Sequence, residues 1–182
     1  MKKFVLLALF MPLLVGAKCQ KLPTMSDMLR EDQADLQVSL QLPPTAVTAF
    51  AKIKVNRKLR NQILDRLDKC NKLVSAPDWY KASIVVGQSG EDNDLLKSME
   101  YANRAIAVDP SLTGPRKMIA NSLDRWLLNH KRPQIFGTQW VIAPDGTRKL
   151  LPIARCAVSN KTRKEFEIED WVISSQPDVC PS

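Results

Sequence analysis

Residue types that commonly build catalytic and metal sites are scarce in this sequence. It has one histidine, His130, and its four cysteines form no Cys-x-x-Cys pair and no cluster with that histidine. Because zinc sites depend on such clusters, no metal site is predicted, and no cofactor is expected. His130 falls at the end of a helical pattern, where the helix dipole favours its cation, and a lone histidine there does not indicate catalysis.

Patterns typical of serine enzymes, nucleic-acid-binding proteins and repeat proteins are missing too. Ser89 stands between Gln88 and Gly90, which is not the Gly-x-Ser-x-Gly elbow of a nucleophilic serine. The net charge is +8, but the lysines and arginines are scattered along helical patterns and alternate with acids. Nucleic-acid binding requires basic residues clustered with exposed aromatics, so no nucleic-acid partner is expected. No motif recurs at a fixed period.

The N-terminus carries the pattern of an export signal. Lys2 and Lys3 precede an apolar run over residues 4–15, and Val15-Gly16-Ala17 supplies the small residues of a cleavage site. The run is too short to span a bilayer comfortably as a permanent helix. We therefore predict that residues 1–17 are a signal peptide cleaved after Ala17, which leaves a net charge of +6.

This signal predicts a periplasmic or secreted protein that meets the membrane only through the signal segment. An uncleaved anchor is the alternative. A lipoprotein attached at Cys19 is disfavoured, because Lys18 stands where a small residue is expected before the lipidated cysteine.

Four cysteines, an even number, remain after cleavage. In an exported chain this predicts disulfides, with three possible pairings. We favour Cys156 with Cys180, which would tie down the C-terminal tail, residues 154–182. Cys70 lies on the apolar stripe of a helical pattern, where a buried free thiol is the alternative.

Length and composition predict one globular domain, because 182 residues with 45% hydrophobic and 25% charged residues suffice for a core. The fold class is predicted to be mainly α, with about four to five packed helices followed by a small C-terminal β-hairpin, all within residues 18–153. The helical patterns begin near Met25, Thr45, Trp79, Asn93 and Pro115.

Several local patterns support this division. Thr24 is a predicted N-cap for the first helix and Asp78 for the third. The second helix shows an apolar face at steps of three and four, with Arg60 among the residues of its other faces: Leu59, Ile63, Leu67, Cys70 and Val74. The run 82–87 is β-branched and fits a strand by propensity, but its helical neighbours favour a helix.

Beyond the helices, the pattern changes to alternation. Residues 138–143 and 147–151 flank Pro144-Asp145-Gly146, a turn sequence, and predict the hairpin. In the tail, residues 161–168 predict a short helix and residues 171–173 a short strand.

The corner between the last long helix and the hairpin concentrates polar side chains. Asp124 and Arg125 lie on the helix, whereas Gln134, Thr138 and Gln139 lie on the chain that leaves it. Together they could hold a polar or anionic ligand, bound bidentately by Arg125 or Arg132. The structural alternative is that these side chains satisfy backbone groups at the corner, with Gly137 supplying backbone freedom.

The same stretch carries a resemblance. Asp124-Arg125, followed by the 132–139 run Arg-Pro-Gln-Ile-Phe-Gly-Thr-Gln, is similar to the signature of a family of uncharacterised bacterial domains. The similarity extends over most of the mature chain and implies no activity, because that family is a domain of unknown function. It adds Gln33 and Gln88 to the candidate ligand-binding residues. Where the family tends to have Gln-His-Ala, this chain has Gln88-Ser89-Gly90, and serine cannot replace a histidine base.

These patterns predict a non-enzymatic binding or interaction module for a small polar ligand or a protein partner. Two alternatives stay open: a small hydrolase-like enzyme that uses Asp124 with Gln33 or Gln88, and a structural envelope-associated protein. Acidic pairs such as Glu31-Asp32 are explained better by caps and solvated charge than by glycosidase chemistry. Convergence of the candidate residues in one pocket would favour a ligand site or an enzyme, and dispersal would favour a structural role.

Overall fold

The computed structural model describes Cys19, residues 21–154 and residues 156–175, and this part of the chain is mainly helical. Five long helices precede the hairpin: α1 Met25–Gln41, α2 Val47–Lys69, α3 Ala76–Gly87, α4 Asp92–Val108 and α5 Pro115–Asn129. The hairpin and two short helices follow: β1 Trp140–Ile142, β2 Arg148–Leu150, α6 Asn160–Glu165 and α7 Asp170–Ser174. The predicted fold class is confirmed. The predicted signal peptide lies outside the described residues.

Helix starts follow the capping chemistry of the sequence. The hydroxyl of Thr24 accepts a hydrogen bond from the backbone N–H of Asp27 at 3.1 Å, which confirms the predicted cap of α1. The predicted cap of α3 was wrong, because the Ser75 hydroxyl accepts from the N–H of Asp78 and Pro77 fits the first turn. Helix α3 therefore begins three residues earlier and includes the ambiguous run 82–87 as helix.

The main core lies among α1 to α4. Its buried members combine large side chains with alanines that let α3 and α4 approach closely: Met28, Leu64, Leu67, Trp79, Ala82, Val85, Tyr101 and Ala105. The predicted apolar face of α2 was wrong in part, because Leu59 and Val74 are 51% and 70% exposed. The buried face of α2 instead runs through Ile53, Arg60, Leu64 and Leu67.

One disulfide closes this part of the molecule. Cys19, ahead of α1, is bonded to Cys70 at the end of α2, with 5.9 Å between the Cα atoms and a sequence separation of 51. The interpretation of Cys70 as a free thiol was therefore wrong, and no described cysteine is free. The predicted Cys156–Cys180 pair involves Cys180, which lies outside the described residues, and stays a prediction.

A second, smaller core joins the hairpin and the tail to α5. Strands β1 and β2 pair antiparallel, with Trp140 opposite Leu150. Phe136, Ile168 and Val172 pack against Ala120 of α5. Residues 171–173 form part of α7 and not the predicted strand, because a helical turn directs Val172 and Ile173 into the interior. No helix in the described ranges is long and apolar enough to cross a bilayer.

Candidate functional site

Asp124 is the centre of the helix-to-hairpin corner, and it is fully buried. Its Oδ1 accepts hydrogen bonds from the N–H groups of Ile135 (2.8 Å) and Phe136 (3.0 Å). Its Oδ2 accepts from the N–H groups of Gly137 and Thr138 and from the Thr138 hydroxyl, each at 2.9 Å. Five donors occupy the carboxylate, so Asp124 braces the corner, as the structural alternative predicts.

The close approach of the loop to Asp124 depends on Gly137. Its φ is +89°, a conformation that side-chain-bearing residues rarely adopt. A Cβ there would also lie 2.5 Å from the Cγ1 of Val172. The predicted need for backbone freedom at this position is confirmed.

Gln134 plays a second structural part. The side chain is buried, its Nε2 donates to the carbonyl oxygens of Gln139 (2.8 Å) and Leu151 (2.9 Å), and its Oε1 accepts from the N–H of Gln139 at 2.9 Å. The amide thus joins the residue before β1 to the residue after β2, beside the backbone hydrogen bond that Leu151 N–H donates to the Gln139 carbonyl oxygen at 3.1 Å. Like Asp124, Gln134 serves backbone groups of the corner.

Arg163 of α6 completes the corner and was not predicted from the sequence. It is 1% exposed, and its guanidinium donates to the carbonyl oxygens of Ile135 (2.9 Å), Phe136 (3.3 Å) and Val158 (2.5 Å). Burial lowers the pKa of Arg163, and the charge of Asp124 opposes that shift. Nothing in the local pattern Asn-Lys-Thr-Arg-Lys-Glu distinguishes this arginine from its exposed neighbours, because its burial arises from the tertiary contact with α5 and the loop.

Thr138 and Gln139 do line a cavity, of about 290 Å³, on the outer side of the corner. Its other polar and aromatic walls come from α5, β1 and the α7 region: Lys117, Asn121, Trp140, Glu169 and Trp171. The Gln139 amide donates to the Thr138 hydroxyl at 3.1 Å. We call this recess the corner cavity.

Glu169 organises the charged side of the corner cavity. Its carboxylate accepts from the indole N–H of Trp171 at 2.6 Å, and it lies 3.5 Å from the Nζ of Lys117 and 3.2 Å from Nη1 of Arg148. The Trp171 hydrogen bond and these cations lower the pKa of Glu169. The Arg148 guanidinium lies 4.6 Å from the ring centroid of Trp140, within the range of a cation–π contact.

The remaining predicted site residues lie elsewhere. Arg125 donates from Nη1 to the carbonyl oxygen of Gly87 at 3.3 Å and lies against Gly90, away from the corner, because successive residues of a helix face different directions. Gln33 is a partly buried residue of α1, and Gln88 follows α3 as its C-cap. Neither glutamine lines the corner cavity, and Arg132 is exposed beyond α5. The seven candidates do not converge in one pocket.

A buried ion pair between α1 and α2 was also missed. Asp32 is fully buried, and its Oδ1 lies 3.1 Å from Nη2 of Arg60, which also contacts Asp35 at 2.8 Å. Burial raises the pKa of Asp32, while Arg60 and Arg57 oppose the shift. The sequence does contain a signal for the burial of Arg60, which is its helical spacing. Arg60 stands seven residues after Ile53 and four before Leu64, and these three residues share the buried face of α2.

Comparisons of the chain with family models, with curated proteins and with solved structures found no match. The resemblance to an uncharacterised bacterial family therefore stays a prediction.

Proposed function

We propose that this protein is an exported, non-enzymatic binding module whose corner cavity holds a small polar ligand. The observation that carries the proposal is the composition of that cavity, where the Gln139 amide and two tryptophans meet a lysine and a glutamate. Indole rings combine a flat apolar face with a polar edge, which suits a ring-shaped ligand with polar substituents. The volume of about 290 Å³ is at the small end of ligand pockets.

Binding without catalysis is supported by the state of the corner carboxylate. A hydrolase that used Asp124 would need an oxygen free to contact a water or a substrate. Both oxygens of Asp124 already accept backbone hydrogen bonds, and neither Gln33 nor Gln88 reaches the corner cavity. We therefore favour a ligand held by Gln139 and Trp140 over a reaction at Asp124.

Export is supported by the bond between Cys19 and Cys70, since disulfides persist in oxidising compartments. A lipoprotein would need the Cys19 sulfur for its thioether, and the disulfide uses that sulfur. Expression of the full chain in a bacterial host with a periplasm, followed by intact-mass analysis, tests this directly. We expect a mature chain that begins at Lys18 and carries no lipid; a full-length or lipidated mass would overturn the export proposal as stated.

Ligand binding is tested by tryptophan fluorescence, because Trp140 and Trp171 line the corner cavity. The probe is N-acetylglucosamine, a ring with hydroxyl and amide substituents. We expect a saturable fluorescence change in the mature protein and at least about tenfold weaker binding in Gln139→Ala.

The matched control is Lys149→Ala, an exposed residue of β2 outside the cavity. It should bind as the wild type does. A wild type that does not respond, or equal affinity in the wild type and Gln139→Ala, would show that the corner cavity is not a site for such ligands.

A further inference from the structure

The end of the helical hairpin that α1 and α2 form projects from the core. Asp32 is the last buried residue of α1, and Ile53 is the first buried residue of α2. None of the residues 33–52 between them is buried, and none of them belongs to either hydrophobic core of the described chain. This end of the hairpin is therefore available to something outside the molecule.

An exposed apolar stripe runs along the outer face of α2. Its members recur every four residues, a spacing that keeps side chains on one side of a helix: Val47, Ala51, Val55 and Leu59. All four are exposed. At about 100° per residue, they point away from the buried face, which carries Ile53 and Leu64. We call these four residues the α2 stripe.

The sequence around the α2 stripe has cations and no acids. From residue 36 to residue 64 there is no aspartate or glutamate, and the cations in that range are Lys52, Lys54, Arg57, Lys58 and Arg60. Arg60 is buried and paired with Asp32, and the charge of the half-buried Arg57 also acts on Asp32. The three lysines are exposed and carry the positive charge of the outer face.

These lysines border the α2 stripe on both sides. By helix geometry Lys52 lies beyond one edge, and Lys54 and Lys58 lie at the other. Lys54 pairs with Glu91 at 3.1 Å, but both side chains are mostly exposed, and such pairs contribute little to stability. Lys52 and Lys58 form no ion pair with any residue that the structure describes. The outer face of α2 thus presents apolar side chains between positive charges.

The charge of this face argues against a second copy of the chain as its partner. A two-fold interface along α2 would set the lysines of one helix against the lysines of the other, and like charges repel. Protein interfaces also depend on large aromatic or arginine anchors that fill a pocket, and the α2 stripe has none. An anionic surface that needs no matching pocket fits both the charge and the side chains.

We propose that the outer face of α2 binds the surface of a membrane that contains anionic phospholipids. The α2 stripe lies at the boundary between headgroups and acyl chains, and the lysines extend to the lipid phosphates. Val38 and Leu40, at the end of α1, are 50% and 71% exposed and add apolar surface beside the turn. The sequence prediction limited membrane contact to the signal segment. The proposal extends that contact to the folded domain and does not depend on the corner cavity.

The first test uses the chain from Lys18 onward, because the apolar run of residues 4–15 would itself bind lipid. This chain keeps the disulfide and both cores. It is sedimented with vesicles of phosphatidylcholine alone and with vesicles that also contain about 30% phosphatidylglycerol. We expect at least about tenfold tighter binding to the anionic vesicles, and release in about 0.5 M salt, which screens the charges.

A second readout locates the contact on the same wild-type chain. Lysines are acetylated with a water-soluble succinimidyl ester, with and without anionic vesicles, and the products are quantified by mass spectrometry. We expect acetylation of Lys52 and Lys58 to slow at least about threefold on the vesicles, because lipid phosphates shield their ammonium groups. Lys131 and Lys149, which are exposed elsewhere in the chain, should react as they do in solution.

The apolar contribution is tested with the double variant Val55→Ser/Leu59→Ser, which leaves every charge in place. The matched control is Leu96→Ser/Val108→Ser, because this leucine and valine of α4 are 48% and 55% exposed, close to the 51% and 58% of the α2 pair. We expect both variants to melt cooperatively. The α2 variant should bind anionic vesicles at least about fivefold more weakly, and the α4 variant should bind as the wild type does.

Several results would overturn the proposal: equal binding of the wild type to neutral and anionic vesicles, unchanged acetylation of Lys52 and Lys58, or unchanged binding by a folded Val55→Ser/Leu59→Ser. A lipid-free dimer that this variant disperses would assign the α2 stripe to a second copy. Binding to polyglutamate without binding to vesicles would assign it to an acidic protein. The sedimentation and acetylation comparisons need only the wild-type chain, so they decide the matter even where a variant does not fold.

Discussion

Asp124 and Arg163 hold the same two peptide groups from opposite ends. In the peptide between Ile135 and Phe136, the carbonyl oxygen accepts from Arg163 at 2.9 Å and the N–H donates to Asp124 at 3.0 Å. In the next peptide, the Phe136 carbonyl accepts from Arg163 at 3.3 Å and the Gly137 N–H donates to Asp124 at 2.9 Å. Two buried charges of opposite sign thus compensate each other through the backbone that lies between them.

Replacement of Asp124 by Asn should strongly destabilise the protein. One carboxylate oxygen becomes an amide that faces backbone N–H donors, which are then left buried and unpaired. We expect a loss of about 3 kcal/mol in the free energy of unfolding, measured by urea denaturation. The exposed Glu31→Gln is the control and should change stability by less than about 0.5 kcal/mol. A melting temperature unchanged in Asp124→Asn would contradict the bracing role.

Arg163 and Asp124 should be energetically coupled although they form no direct ion pair. Arg163→Met leaves the carbonyl oxygens of Ile135, Phe136 and Val158 without this donor. In a double-mutant cycle with Asp124→Asn, we expect a coupling energy of at least about 1 kcal/mol, because the second substitution acts on a loop already released by the first. Strict additivity of the two losses would mean that the loop is held by something else.

The Cys19–Cys70 bond should contribute substantially to stability. Its partners are 51 residues apart, and the chain-entropy model gives about 4 kcal/mol for a loop of that length. Cys70→Ser should lower the free energy of unfolding by this order, and Cys19→Ser should match it, since either removes the same link. Denaturation in urea measures both variants. A loss confined to one of them would point to a local packing effect.

Asp32 should impose a pH dependence on stability. Its pKa in the folded protein is raised above the ordinary 3.8, first through burial. Below pH 3.8 the carboxyl of Asp32 is mostly protonated in both the folded and the unfolded protein. As the pH rises past it, the unfolded chain ionises first, so the free energy of unfolding falls until the folded carboxyl also ionises.

Asp32→Asn removes this contribution while keeping an oxygen for Arg60. We therefore expect the stability of the wild type to fall relative to Asp32→Asn between about pH 3 and neutrality. Urea denaturation of both proteins across that range measures the difference. A difference in the free energy of unfolding between the two proteins that does not change with pH would rule out Asp32 as the source of the pH dependence.

The sequence predicted the elements better than their contacts. Periodicity located the five long helices and turn chemistry located the hairpin, because both signals are local. The burial of Arg60 and Arg163 depends on carboxylates and carbonyl groups far away in the chain, which no local pattern contains. Of the residues predicted at the corner, Arg125 lies elsewhere. Only the geometry separates Asp124 and Gln134, which serve the backbone, from Thr138 and Gln139, which line a cavity.

The position of the Cys19–Cys70 link bears on how the chain matures. Both sulfurs belong to the first two fifths of the sequence, so in the exported chain proposed above oxidation requires only that α1 and α2 have emerged from the translocation channel. An oxidoreductase could therefore close this ring while α3 to α7 are still being delivered. The later helices would then pack on α1 and α2 after the disulfide has joined them. A pulse-labelled secretion intermediate that ends near residue 90 should therefore already resist thiol alkylation at Cys19 and Cys70.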